Sequence, residues 1–424
     1  AHIQNLKELP KVEEEVDRCM ECGFCEHKCP SRNITLTPRR RIVVRRELLN
    51  LKRKGEKQEH AELLDQYQYD GLDTCAVDGL CATACPVDIN TGDLVKRLRR
   101  ESHNDFANNL ALLVAKNFRP VAATVKFGLN AGASLNKLFG ANTMGRLTKS
   151  AKGIIPEFPL WTNQLAPALG LGAAMAKANI PTDEAEVVYF PTCISRTMGS
   201  AEAGKKNITQ TFISVSEKVG IKFMIPKDVQ SSCCGQIYSS KGYSKAFAYT
   251  ANETISKAWE WTDRGRLPLI LDITSCTYTL QNCRPVLTPE NRQKFDVLKI
   301  IDSIDYIADF ILPKATVLKK KESVVVHPVC SLQKMGLETK FISIAKQLAQ
   351  EVTVPMHAGC CGMAGDRGFL VPELTASATA PEANEVKQCE YDGYYSSAKT
   401  CEMAMTEAVG RNYESIVYLL DACI

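Results

Sequence analysis

No stretch of this 424-residue chain stays apolar long enough to cross a bilayer. The longest uncharged apolar run, residues 165–176, has about half of the roughly 20 residues a span requires and is broken by Pro167, Gly170 and Gly172. Charge of neither sign dominates: 52 Lys and Arg against 48 Asp and Glu leave +4, which gives no basis for wholesale nucleic-acid binding. The start, Ala1-His2-Ile3-Gln4-Asn5, lacks an apolar h-region, so no signal peptide is expected. Acidic residues are missing between Asp105 and Glu157, where Lys116, Arg119, Lys126, Lys137, Arg146, Lys149 and Lys152 all occur. Leu110, Leu113, Val114, Phe118, Val121, Val125, Phe127, Leu129, Leu135, Leu138 and Phe139 interleave with them and predict basic amphipathic helices. Such helices suit an anionic membrane surface or an acidic partner. The plainer reading is a helical linker packing its apolar stripe on its neighbours.

Cysteine, by contrast, is abundant, with 18 copies. Cys19-Met-Glu-Cys22-Gly-Phe-Cys25-Glu-His-Lys-Cys29-Pro30 has the C-x2-C-x2-C-x3-C-P spacing that wraps a cubane iron–sulfur cluster. Cys75-Ala-Val-Asp78-Gly-Leu-Cys81-Ala-Thr-Ala-Cys85-Pro86 repeats the frame with aspartate at the second ligand position. In two-cluster ferredoxins the fourth cysteine of each run crosses to the other cluster. One cluster is therefore expected on Cys19, Cys22, Cys25 and Cys85, and the other on Cys75, Cys81 and Cys29 with Asp78 at the fourth corner. Zinc usually takes two ligands from each of two separated pairs, not four within eleven residues. Disulfides suit neither the absent signal peptide nor adjacent pairs such as Cys233-Cys234, and a reduced, cytoplasmic setting fits better. Iron accepts carboxylate as well as thiolate. Asp78 therefore leaves open an oxygen-ligated 4Fe-4S cluster, a vacant corner, a 3Fe-4S form, or a mere cap on the next turn.

At 45% hydrophobic the chain has enough apolar content for two or three domains. The expected divisions are a mainly helical ferredoxin-like domain at 1–104, a basic helical linker at 105–184, and α/β units at 185–318 and 319–424. Residues 10–18 lead into the first cysteine run. A charged helix is predicted over Pro38–Lys54, with Arg39, Arg40, Arg41, Arg45 and Arg46 either offsetting cluster charge or forming a solvated face. Another is predicted over Thr91–His103, with Thr91 as N-cap and Asp93 in its first turn.

From about residue 185 the chain repeats itself. Val187-Val188-Tyr189-Phe190-Pro191-Thr192-Cys193 is echoed by Val324-Val325-Val326-His327-Pro328-Val329-Cys330, and Ser232-Cys233-Cys234-Gly235 by Gly359-Cys360-Cys361-Gly362. Residues 271–276, ending at Cys276, are echoed by 397–401, ending at Cys401, and residues 303–309 by 415–421. Short β-branched runs ending near cysteine alternate with helical stretches such as 201–220 and 239–263, which implies parallel sheets. The thiols then gather at the carboxyl edge, where open α/β sheets build sites. Cys193, Cys233, Cys234 and Cys276, and their counterparts Cys330, Cys360, Cys361 and Cys401, are candidate metal or redox residues. Buried packing is the alternative. Cys283, Cys389 and Cys423 have no counterpart and read as packing residues, while His327 reads as a ligand, a proton donor or a structural residue.

The repeat resembles the cysteine-rich CCG domain of heterodisulfide reductase iron–sulfur subunits. A two-cluster domain joined to two such repeats resembles the iron–sulfur subunits of glycolate oxidase and anaerobic glycerol-3-phosphate dehydrogenase. Residues 19–32, 36–42 and 73–81, including the aspartate at Asp78, are most similar to the C-terminal half of bacterial FAD and iron–sulfur D-lactate dehydrogenases. The resemblance spans essentially the whole chain. It implies an oxidoreductase electron-transfer module. An FAD-binding domain or subunit would take hydride from a D-2-hydroxy acid, and quinone or another acceptor would receive electrons, with peripheral contact at the inner membrane face. One departure stands out: Cys276 is followed by Thr279 and Cys401 by Ala404 where heterodisulfide reductase repeats end in C-x2-C. A further iron–sulfur cluster, zinc, a thiol pair or an empty site all remain open in the repeats.

Overall fold

The computed structural model describes residues 12–155, 158–168, 172–178, 180–199 and 205–424. Parts of the 10–18 and 201–220 segments therefore lie outside the described residues; the helix in the latter runs Ile208–Lys218.

Helices and tight loops build the N-terminal domain. The charged helix spans Pro38–Lys54, with Thr37 accepting from the amide of Arg40 and Gly55 closing the far end at φ 80°. Its arginines are not all a solvated face, because Arg41 and Arg46 are buried. The next predicted helix runs Thr91–Ser102, but its cap is Asn90, whose side chain accepts from the amide of Gly92, and Thr91 is the first helical residue. Asparagine reaches the N2 amide from its extended position as readily as threonine would.

The basic segment folds into helices Asp105–Lys116, Phe118–Phe139 and Thr143–Ile154. Gly132 lets Trp161 pack onto the middle helix; a Cβ there would stand 2.4 Å from Trp161 Cη2. Leu129 and Gly132 mark that helix's buried side. Phe127 and Leu138 on the other side are each 75% exposed. No described helix is long and apolar enough to cross a membrane.

Two sheets follow, each parallel and four-stranded. Strands β1 (Val187–Phe190), β2 (Phe223–Met224), β3 (Leu269–Leu271) and β4 (Ile300–Asp302) lie in the order β2-β1-β3-β4. Strands β5 (Lys321–Val326), β6 (Ala349–Thr353), β7 (Gly393–Ser396) and β8 (Tyr413–Ser415) repeat it as β6-β5-β7-β8. The sequence duplication is thus a duplication of topology. The echoed endings are corresponding helices, starting at Ser303 and Ile416 just after β4 and β8. Helix cover explains why β1 is buried at every residue and reads as an uninterrupted apolar run. A single apolar core passes through both sheets, from Val187 and Leu269 to Val324 and Leu420. Thr274 Oγ1 also bonds Ser397 Oγ at 2.9 Å across the two units.

Candidate functional site

The two N-terminal cysteine loops share one backbone path. Glu21 (φ 61°) and Val77 (φ 53°) each lie two residues after the first cysteine, and Gly23 (φ 85°) and Gly79 (φ 76°) lie four after it. Left-handed backbone is costly for a β-branched residue, so Val77 is held there by its surroundings. Asp78 therefore occupies the turn position that Cys22 occupies in the first loop.

The fourth cysteines cross over. Cys25 lies in the electrostatic range of Cys19 and Cys85, and burial pushes its thiol up to about 11. A small cavity on the other side is lined by Cys29 with Cys75, Asp78 and Cys81, together with Arg41. Burial, with the charges of Asp78 and Cys75, pushes Cys81 to about 12. Arg41 donates to Cys29 Sγ at 3.5 Å. Burial opposes its charge, but the fields of Cys75 and Cys29 more than offset that and raise its pKa. Thiolates from both loops around one pocket, with a buried cation beside them, fit an anionic iron–sulfur cluster. Cys22 is exposed, as are neighbouring Met20 and Phe24, whereas Cys29, Cys75 and Cys81 are buried.

In the repeats, Cys193 and Cys330 open the short helices after β1 and β5, and Cys276 and Cys401 lie in the helices after β3 and β7. The chain reverses direction of sheet growth between those strands, at the crevice where parallel sheets receive ligands. Cys233-Cys234 and Cys360-Cys361 come from the loops beyond β2 and β6. The thiols meet in the same pairs in both units: Cys193 with Cys233 at 3.7 Å and Cys234 with Cys276, then Cys330 with Cys360 and Cys361 with Cys401 at 3.0 Å. Among the described residues no three His, Cys, Asp or Glu side chains are placed to hold one metal ion.

The surroundings of the two thiol sets differ. Arg196, buried in the first unit, donates to the carbonyls of Val229 and Ser232 and lies in the field of Cys193 and Cys233. In the second unit His327 replaces Phe190. Its Nδ1 lies 2.9 Å from both oxygens of Glu382, its buried Nε2 has no partner, and it lies in the field of Cys361. Burial opposes the imidazolium, yet the Glu382 charge leaves the His327 pKa raised. The hydrogen bond between Cys361 and Cys401 lowers the pKa of Cys361. Nothing in the sequence marks Glu382 or Arg196 for these positions. Cys283 and Cys423 are buried as expected, but Cys389 is exposed, because it sits in the turn just beyond the Pro372–Val386 helix.

The second thiol set opens into a cavity of about 530 Å³ shared with the dicluster loop: Asp78, Cys330, Cys360, Cys361 and Cys401 line it, as do Tyr278 and Lys334. Lys334 Nζ stands 4.0 Å from the centre of the Tyr278 ring, a cation–π contact joining the two repeats.

These features define a chain with a two-cluster iron–sulfur domain followed by paired cysteine-rich domains. The 4Fe-4S dicluster domain family matches residues 15–89, and the cysteine-rich CCG domain family matches twice, at 187–281 and 324–406. One of the subunits of anaerobic glycerol-3-phosphate dehydrogenase from Escherichia coli, strains K12 and O157:H7, is 21% identical over 421 residues, covering 95% of this chain and 97% of the relative.

Proposed function

We propose that this chain is the iron–sulfur electron-transfer module of a flavin-dependent dehydrogenase complex. The observation that carries this reading is the crossed arrangement of the two cysteine loops, with Cys29 lining the cavity of Cys75, Asp78 and Cys81. Iron–sulfur clusters supply one-electron chemistry, splitting the electron pair that a flavin collects as hydride. Cys19, Cys22, Cys25 and Cys85 would hold the cluster nearer the surface. Cys29, Cys75 and Cys81 would hold the buried one, with Asp78 facing its fourth corner. The exposed Met20 and Phe24 beside Cys22 favour electron entry there from an FAD-bearing partner, and the cavity beyond Asp78 favours exit toward the second cysteine-rich domain.

Two substrate readings have specific support. Likeness to the glycerol-3-phosphate dehydrogenase subunit over nearly the whole chain favours a glycerol 3-phosphate-oxidising complex. Residues 19–32, 36–42 and 73–81 support the D-lactate, or D-2-hydroxy acid, reading. The deciding experiment isolates the native flavoprotein partner and adds D-lactate or glycerol 3-phosphate anaerobically. Bleaching of cluster absorbance in this chain by one substrate selects it, and bleaching by neither, with flavin reduced, refutes the electron-transfer role.

The Phe118–Phe139 helix supports peripheral contact with an anionic membrane, where quinone is the acceptor within reach. Its open side carries Phe127 and Leu138, and Arg119, Lys126 and Lys137 run along one border of that side at spacings of 7 and 11 residues.

A further inference from the structure

Asp78 does not face its corner alone. Cys360, which belongs to the second cysteine-rich domain, lies beside it. Both residues line the 530 Å³ cavity. Cys360 also shares a second cavity, of about 290 Å³, with Cys29 and Leu80, and it packs in one apolar cluster with Ala76 and Leu80 of the dicluster loop. Cys360 is thus bracketed by the same loop that carries Cys75, Asp78 and Cys81. Asp78 Oδ1 accepts from the amide of Leu80 at 2.7 Å, fixing the turn into the Leu80–Thr83 helix. Cys360 also pairs with Cys330 inside its own domain, as Cys233 pairs with Cys193 in the first unit.

We propose that Cys360 is the fourth protein ligand of the buried cluster, reaching it across the boundary between two domains, while Asp78 positions that thiolate by fixing the turn beside it. This rests on the cluster assignment given above to Cys29, Cys75 and Cys81. Ligation replaces the Cys360 S–H bond with an S–Fe bond and releases the proton to solvent, with no electron exchanged. The amide of Gly362, 3.4 Å from Cys360 Sγ, donates to the resulting thiolate. Sulfur is the softer donor and the better match to iron already held by three thiolates. The second repeat then gives one of its four thiols to the dicluster domain and keeps Cys330, Cys361 and Cys401, whereas the first repeat keeps all four.

The test uses the full chain purified anaerobically with 57Fe. Mössbauer spectra of the unmodified protein should show the buried cluster ligated by sulfur only. A distinct iron site with oxygen-ligand parameters would overturn the assignment in favour of Asp78. Among variants, Cys360→Ser should lose one of roughly eight irons and show the EPR signal of an oxidised three-iron cluster. Asp78→Asn and Cys233→Ser should keep the four-iron signal of the buried cluster. Three-iron spectra in Asp78→Asn together with wild-type spectra in Cys360→Ser would equally overturn it. If Cys360→Ser does not fold, the Mössbauer result on the unmodified chain decides alone. Protein with no cluster iron at all would remove the electron-transfer reading itself, an outcome distinct from a wrong fourth ligand.

Discussion

Arg41 Nη1 stands 3.5 Å from Cys29 Sγ, while its Nε donates to the carbonyl of Gly71 at 2.7 Å and its Nη2 to Ser31 Oγ at 2.9 Å. One buried guanidinium thereby ties the Cys29 sulfur to the loop that precedes the second cysteine run. Arg41→Met should leave that sulfur without its cation and make the buried cluster harder to reduce. A charge-assisted hydrogen bond of about 1.5–3 kcal/mol corresponds to a midpoint lower by roughly 60–130 mV at 59 mV per tenfold. EPR-monitored redox titration reads the shift. Arg41→Lys should recover part of it, since charge returns without the fork.

Crossing of the fourth cysteines makes a prediction that proximity in sequence does not. Cys85→Ser should damage the cluster of Cys19, Cys22 and Cys25, although Cys85 lies beside Cys75 and Cys81 in the chain. Cys22→Ser should strike that same cluster. The reduced EPR spectra of the two variants should therefore match each other, with the signal of the buried cluster retained in both. Loss of the buried cluster's signal in Cys85→Ser would disprove the crossing.

Stability should depend on pH through Asp302, whose carboxyl burial pushes from 3.8 up to about 6. The raised value means that the folded state prefers the protonated form. Its contribution is most favourable below about 4, falls as pH rises through about 6, and is flat above. At 1.36 kcal/mol per unit, the loss across that window is at most about 3 kcal/mol. Asp302→Asn should flatten this part of the profile in urea titrations. The asparagine oxygen still accepts from the amide of Ile304, while its Nδ2 takes the place of Oδ2 and donates to Thr277 Oγ1, 2.8 Å away in the parent.

Membrane contact through the Phe118–Phe139 helix predicts sedimentation with vesicles of anionic lipid and far less with zwitterionic ones. Lys126→Gln with Lys137→Gln should weaken binding to anionic vesicles roughly thirtyfold, at about 1 kcal/mol per cation. Phe127→Ser with Leu138→Ser should weaken it further and leave the iron content unchanged. Equal binding of wild type and both double variants would exclude this helix as the contact.

The sequence carried those features that depend on short spacing. Both cysteine loops, the Pro38–Lys54 helix and the duplication are legible because ligand loops, caps and strand–cysteine landmarks are local patterns. What escaped it is set by contacts far apart in the chain. Glu382 meets His327 from 55 residues away, and Asp78 shares a cavity with Cys360 from 282 positions away. The exposure of Cys389 and the replacement of Thr91 by Asn90 as cap follow from how one turn is placed, which composition does not record. The lining of the 530 Å³ cavity draws on three domains at once, and no single segment advertises it.

The dicluster domain is fastened to both cysteine-rich units. Arg99 donates to the carbonyl of Ser240 at 2.7 Å and His103 meets that of Lys241, while Arg367 bonds Asp73 at 3.3 Å and Tyr69 bonds Glu373. Gly242, at φ 86°, comes so close that a Cβ would lie 2.7 Å from the amide nitrogen of Arg100. A domain clamped on two sides has no swing with which to ferry charge. Electron flow inside this chain should then run at a rate set by fixed separations and by differences in potential, indifferent to solvent viscosity, and any step that slows in glycerol belongs to the meeting with a partner.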